Sequence, residues 1–226
     1  MASKVKNMVK HKNVVDAAAL HENVPPDWYF QSIKRNLFQR YWHKRRFDEV
    51  GRVIEPTGGK ILDIGSADGM FTKVILDKSH AGKIIGIDVL KASVDWANNH
   101  WKKYKELKFQ VGDAHKLNFD SNTFDAVFAL EVLEHVFEPE KVFLEIKRIL
   151  KKGGYAVFLV PSDNFLFNII WGFITRFWWA RIWKDCHVQS FSSKNPLDKV
   201  VAKSGLKVEV SKKFILGMLH LVKVRK

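Results

Sequence analysis

The chain has 226 residues, 46% hydrophobic and 27% charged, a composition that excludes intrinsic disorder and fits one globular domain with additions. A chain of this length buries roughly 70% or more of its unfolded surface, and its single cysteine, Cys186, excludes an internal disulfide framework and a cysteine-cluster zinc site. Lys and Arg number 38 against 24 Asp and Glu, a net charge of +14, so the surface attracts polyanions, either nucleic acid or anionic lipid headgroups; charge alone does not choose between them.

Residues 1–24 read as a loose basic arm carrying Lys4, Lys6, Lys10 and Lys12. The first twelve residues contain no apolar run of the secretory kind, which favours the cytoplasm, and no stretch reaches the roughly 20 nearly uncharged residues that span a bilayer. After Pro25 and Pro26, Asp27 opens a helical pattern over 28–54. Tyr29, Ile33, Leu37, Tyr41, Phe47, Val50 and Ile54 recur at spacings compatible with one or two amphipathic helices. The other faces carry Lys34, Arg35, Arg40, Lys44, Arg45 and Arg46, and Pro56-Thr57-Gly58-Gly59 stops the unit.

From Lys60 short apolar runs alternate with helical stretches. Strands are expected at 60–64, 83–87, 107–111, 124–129 and 155–160, and helices at 69–78, 91–101 and 138–150, the last stopped by Gly153 and Gly154. Strands without polar alternation between helices imply a parallel sheet covered on both faces. In the tail, Ser192 or Ser193 caps a helix through Ser204 with Gly205 as its stop. Residues 206–210 and 216–224 read as two strands whose short connection implies an antiparallel hairpin.

The most informative stretch runs from Ile61 to Phe71. A buried strand enters Gly65, then Ala67, then Gly69, then a helix. Small residues at alternate positions let a ligand approach the backbone, and the helix N-terminus offers free N–H groups. Asp63, Asp88 and Asp113 fall at or near the ends of three successive strands, the edge where open α/β sheets bind ligands. Asp88 stands where an acid accepts from ribose hydroxyls, and Asp113 where one accepts from an adenine amino group. The glycine spacing departs from G-x-G-x-x-G, Asp68 adds negative charge, and no P-loop occurs, so a dinucleotide and ATP are both disfavoured and a cationic sulfonium-ammonium ligand suits the mouth better.

Asp63-Ile-Gly-Ser-Ala-Asp-Gly69, Gly86-Ile-Asp88, Gly112-Asp113-Ala114, Phe124-Asp-Ala-Val127, Glu131-Val-Leu-Glu-His135 and Leu150-Lys-Lys-Gly-Gly154 together resemble the class I S-adenosylmethionine-dependent methyltransferases, in the small-molecule, quinone and lipid branch. The resemblance covers about residues 60–160, departing at Ala67, where many members have glycine. It implies a Rossmann-like, doubly wound seven-stranded α/β sheet with an antiparallel last strand. Residues 1–56 would form the arm and lid helices, and 57–226 the methyltransferase domain with an aromatic insertion at 162–190. It further implies that Asp63, Gly65, Ser66, Ala67, Gly69, Asp88, Val89, Asp113, Ala114, Leu130 and Glu131 bind the cofactor, with Tyr29 and Tyr41 as a lid.

Glu131, Glu134 and His135 share one face if Glu131 opens a helical turn, and His187 follows the insertion. These four resemble a divalent-metal set of ubiquinone-biosynthesis O-methyltransferases and small-RNA 2′-O-methyltransferases; in metal-independent members the same positions are pocket walls or a histidine base, and this second reading is preferred, with His135 as the base and Glu134 and His187 toward the acceptor. Between 164 and 184, Trp171, Trp178, Trp179 and Trp183 crowd a segment punctuated by Arg176, Arg181 and Lys184. It reads as a membrane-surface element, a lid or a dimer contact, and an apolar acceptor entering from the inner membrane face is favoured. The function expected is methyl transfer to a hydrophobic small molecule or lipid-like acceptor. The alternatives are RNA methylation using the basic surface, a noncatalytic membrane-associated cofactor binder, and a nicotinamide dehydrogenase opposed by the glycine spacing.

Overall fold

The computed structural model describes residues 24–162 and 196–226, with 165, 169, 172 and 191. The basic arm before Val24, most of the aromatic insertion, His187 and the Ser192/Ser193 cap lie outside the described residues.

The N-terminal pattern forms two helices, α1 (Trp28–Arg35) and α2 (Leu37–Gly51). The break falls at Asn36, whose extended backbone ends α1 and whose Oδ1 accepts from the N–H groups of Phe38 and Gln39, a side-chain cap for α2. Alternation then follows through β1 (Lys60–Ile64), α3 (Met70–Ser79), β2 (Lys83–Asp88), α4 (Lys91–His100), β3 (Leu107–Val111) and β4 (Phe124–Leu130). A 3-10 turn (Leu133–His135), α5 (Pro139–Ile149), β5 (Leu150–Pro161), α6 (Leu197–Ala202), β6 (Lys207–Phe214) and β7 (Leu219–Arg225) complete the order.

The seven strands lie in the order β3-β2-β1-β4-β5-β7-β6, parallel except for β7, which runs antiparallel to both neighbours. The β6–β7 hairpin turns through Ile215, Leu216 and Gly217, all in the left-handed region. Alternation along the strands splits the core in two. Leu62, Ile64, Val127, Ala129, Ala156 and Phe158 face α5 and α6, whereas Ile61, Ala126, Phe128, Leu130, Val157 and Leu159 face α2 and α3. With both faces covered, the central strands are largely apolar, as the sequence implied, with Asp63 in β1 and Asp125 in β4 as charged exceptions.

Two expectations are corrected. Gly153 and Gly154 do not stop the helix: α5 ends at Ile149, and both glycines lie inside β5. A Cβ on Gly154 would stand 2.9 Å from the carbonyl oxygen of Asp125, so glycine is needed where the strand enters the sheet. The tail helix is also shorter in its described part, beginning at Leu197 after Pro196.

Candidate active site

Strand order reverses between β1 and β4, and the cleft opens there, at the carboxyl edge of the sheet. The turn after β1 is stapled to β2: the N–H groups of Gly65 and Ser66 both donate to the Ile87 carbonyl, at 2.8 and 2.9 Å. Gly65 has φ 68° and Ala67 φ 45°, so the chain folds tightly back on itself. A side chain at Gly65 would also strike Val132 Cγ2, which makes glycine obligatory on two counts.

Asp88 joins the two loops that floor the cleft. Its Oδ2 accepts from Ala67 N–H and its Oδ1 from Leu90 N–H, each at 2.9 Å. A carboxylate offers about four lone-pair sites, and these two bonds fix its orientation beside the turn. Val89, Leu90, Ser93, Gly112, Asp113 and Ala114 continue the same wall. Asp113 Oδ1 accepts from the His115 N–H at 2.9 Å and lies 2.7 Å from its Nδ1, which holds this turn against the cleft.

Not every expected residue reaches the surface of the cleft. Asp63 is buried behind it, accepting from the Thr72 hydroxyl at 2.6 Å; burial pushes its pKa up to about 7. Ser66 and Leu130 are buried as well. Gly69 serves packing: its Cβ position stands 2.7 Å from Phe109 and from Trp101. Tyr41 is corrected as a lid, since it projects into solvent from α2 and does not line the cleft, whereas Tyr29 does.

The Glu-x-x-Glu-His stretch is also corrected in shape. Glu131 does not open a helix: its φ is 59°, and its N–H donates to the Leu159 carbonyl at 2.7 Å. Only the following Leu133–His135 turn is helical, of the 3-10 kind. Glu131 and His135 therefore line the cleft while Glu134 is buried away from it. Among the described residues no three His, Cys, Asp or Glu side chains gather as a metal site, and the Glu131 carboxylate is already engaged by Arg46.

Two partners on this side were missed by sequence reading. Asp68 does more than add charge at the mouth: its Oδ2 accepts from Phe30 N–H at 2.8 Å and its Oδ1 from Met70 N–H at 3.2 Å. It thereby fastens the first turn of α1, with Trp28 and Tyr29, across the cleft. Burial pushes the Asp68 pKa up to about 6, and these backbone donors oppose the rise. Arg46, which the sequence pattern groups with the basic residues away from the apolar faces, is buried with Nη1 on the Glu131 carboxylate. Its Nη2 lies 2.5 Å from His43 Nδ1. Burial, and then Arg46, push His43 down to about 2, so its ring is neutral with Nδ1 as acceptor and Nε2–H toward the Ser32 hydroxyl, 3.2 Å away. Nothing in the local sequence marks either role, because both depend on chain folded back from the N-terminal helices.

The cleft measures about 890 Å³ including its open mouth. Ile64, Val89, Leu90, Ala114, Val132 and Val136 make it largely apolar, with carboxylates at Asp88, Asp113 and Glu131. A neutral aromatic base, a diol and a cationic chain need this combination, so S-adenosylmethionine fits the residues present.

Sheet order, the glycine turn and the acid ending β2 define the class by fold: a Rossmann-like, doubly wound α/β domain with its cleft at the carboxyl edge of the sheet. Residues 62–158 match the family described as methyltransferase domain. Over 121 residues the chain is 26% identical to a ubiquinone biosynthesis O-methyltransferase of Coxiella burnetii, covering 53% of this chain and 51% of that protein. Over 104 residues it is 36% identical to a sterol 24-C-methyltransferase of Gibberella zeae, covering 45% and 27% respectively. The chain thus spans about half the length, or less, of these curated relatives. In fold it is similar to geranyl diphosphate methyltransferase solved in complex with S-adenosylmethionine, with a TM-score of 0.67 and 16% identity over 93% of this chain and 95% of that one.

Proposed function

We propose that this protein transfers a methyl group from S-adenosylmethionine to a hydrophobic small-molecule or lipid-like acceptor, working at the cytoplasmic face of a membrane. The observation that carries the cofactor half is Asp88, its carboxylate fixed by two backbone N–H groups beside the Gly65–Ala67 turn. The acceptor half is supported by the apolar cleft wall, by the aromatic segment of the sequence at 164–184, and by similarity to enzymes named for ubiquinone and sterol chemistry.

When bound, S-adenosylmethionine supplies an activated methyl group, so the protein's task is positioning. Asp88 would hold the ribose and the Asp113–Ala114 turn the adenine. Glu131, kept in place by Arg46, would face the ammonium end. The first turn of α1 excludes water from above, anchored by Asp68. His135, which lines the cleft, would take a proton from an acceptor hydroxyl.

The test is transfer of labelled methyl into separated lipid, quinone and RNA pools, with calorimetry of S-adenosylhomocysteine binding alongside. Label in the lipid or quinone pool supports the reading. Label confined to RNA transfers the activity to a nucleic-acid acceptor using the basic surface. S-adenosylhomocysteine binding without label in any pool points to a noncatalytic cofactor binder.

A further inference from the structure

The corner where α1 meets α2 carries a feature that the cleft does not use. From residue 28 to residue 47 the sequence contains no Asp or Glu but six Lys and Arg. At the apex, Leu37 is 78% exposed, Phe38 60% and Tyr41 59%. These three lie on one side of α2, at i, i+1 and i+4, while His43, Arg46, Glu49 and Val50 face the body of the protein. Lys34, Arg35, Arg40 and Lys44 are exposed around them. The apolar crown therefore protrudes and is encircled by cations.

The corner is also rigid. Asn36 N–H donates to the Ser32 carbonyl at 3.2 Å, and its side chain caps α2. Arg40 reaches back to the last carbonyls of α1, with Nε 3.1 Å from Ile33 O and Nη2 3.3 Å from Lys34 O. Large apolar side chains are thus held in water by a braced turn instead of being folded away.

We propose that this corner docks on an anionic lipid bilayer, with Leu37 and Phe38 entering the acyl boundary, Tyr41 at headgroup level, and the cationic ring on the phosphates. The occupant is argued from charge and shape. The rim is predominantly cationic: from residue 28 to 47 there is no acid, and the next carboxylate along α2, Asp48, lies one turn beyond Lys44 and pairs with it at 3.2 Å, so the net charge facing a partner is positive and suits a polyanionic surface. A convex aromatic-aliphatic tip ringed by Lys and Arg is what an interfacial anchor requires. The purpose of the contact rests on the lipid-like acceptor proposed above: α1 runs from this corner to Trp28 and Tyr29 at the cleft, so docking would place the cleft beside the membrane.

The experiment is pelleting of the full chain with vesicles of phosphatidylcholine alone and of phosphatidylcholine mixed with phosphatidylglycerol. The wild type should pellet with the mixed vesicles and less as salt rises. L37S/F38S should lower that partitioning by at least about tenfold, and K34E/R35E by a comparable factor. Both variants should keep wild-type affinity for S-adenosylhomocysteine, which shows that the fold survives. Wild-type pelleting by L37S/F38S, or equal pelleting of the wild type on both vesicles, would overturn the proposal. So would a vesicle-free dimer that L37S/F38S breaks, because the corner would then bind a second copy. Loss of S-adenosylhomocysteine binding by the wild type would remove the methyltransferase reading and leave the lipid contact standing.

Discussion

Arg46 on α2, itself buried, and Glu131 beyond the end of β4, partly buried in the cleft wall, form an ion pair that joins the N-terminal helices to the floor of the cleft. Glu131 occupies the left-handed region, so its side chain leaves the strand at an angle that an ordinary strand residue would not take. Removing one partner of such a pair strands the other charge, which costs about 3–5 kcal/mol. Arg46→Ala should therefore destabilise the fold by about 3 kcal/mol in urea titration. Glu131→Gln added to it should recover part of that loss while leaving S-adenosylhomocysteine affinity low. If Arg46→Ala alone unfolds at the wild-type midpoint, the pair has no structural role.

Asp88 gives the sharpest test of the cofactor assignment. Asn at this position keeps one carbonyl acceptor and loses the charge, and charged hydrogen bonds are worth about 1.5–3 kcal/mol. Asp88→Asn should therefore weaken S-adenosylhomocysteine binding by at least about tenfold in calorimetry, at one pKd unit per 1.4 kcal/mol. Unchanged affinity would remove Asp88 from the site.

The turn at Gly65 should tolerate no side chain. Gly65→Ala meets Val132 and a positive φ together, which costs about 1–3 kcal/mol. Thermal unfolding should shift down, and Val132→Ala in the same chain should restore only the steric share. Full restoration would mean that the backbone conformation costs nothing there.

Asp63 and Asp68 set a pH dependence with a definite sign. Their folded pKa values, about 7 and about 6, lie above the ordinary 3.8, so the folded state binds more protons than the unfolded state between these values. Stability from these two groups is therefore greatest near pH 4 and is lost as pH rises through 6 and 7. Asp63→Asn, which keeps an acceptor for Thr72, should flatten the slope between pH 5 and 8 and raise stability at pH 8 by on the order of 2 kcal/mol. A wild-type slope that persists in this variant would assign it elsewhere.

Much of this architecture is written locally. Lys60–Ile64, buried along four of its five residues, appears as a strand with the expected limits, and so does the edge strand Leu107–Val111, whose apolar residues alternate with Lys108 and Gln110. The Gly65 turn is legible as well, since a backbone that must fold tightly demands small residues at fixed spacing, and Asp88, expected at the end of β2, stands there and lines the cleft. Elsewhere a local rule misled. Gly153 and Gly154 resemble a helix stop, yet both lie inside β5, and Gly154 admits that strand past the backbone of Asp125. Tyr29 and Tyr41 look equivalent in sequence, but the break at Asn36 sends one to the cleft and the other to solvent.

The sequence by itself determined the sheet, the small-residue turn after β1 and the acids at the strand ends, because period, turn geometry and strand-end residues act over a few positions. Only the tertiary structure decided which acids face the cleft: Asp63 turns to Thr72, Asp68 to Phe30 and Glu131 to Arg46, each governed by a side chain or backbone group that folding brings beside it. A carboxylate's role follows from its burial and its nearest donor, and neither quantity exists until the chain has closed on itself.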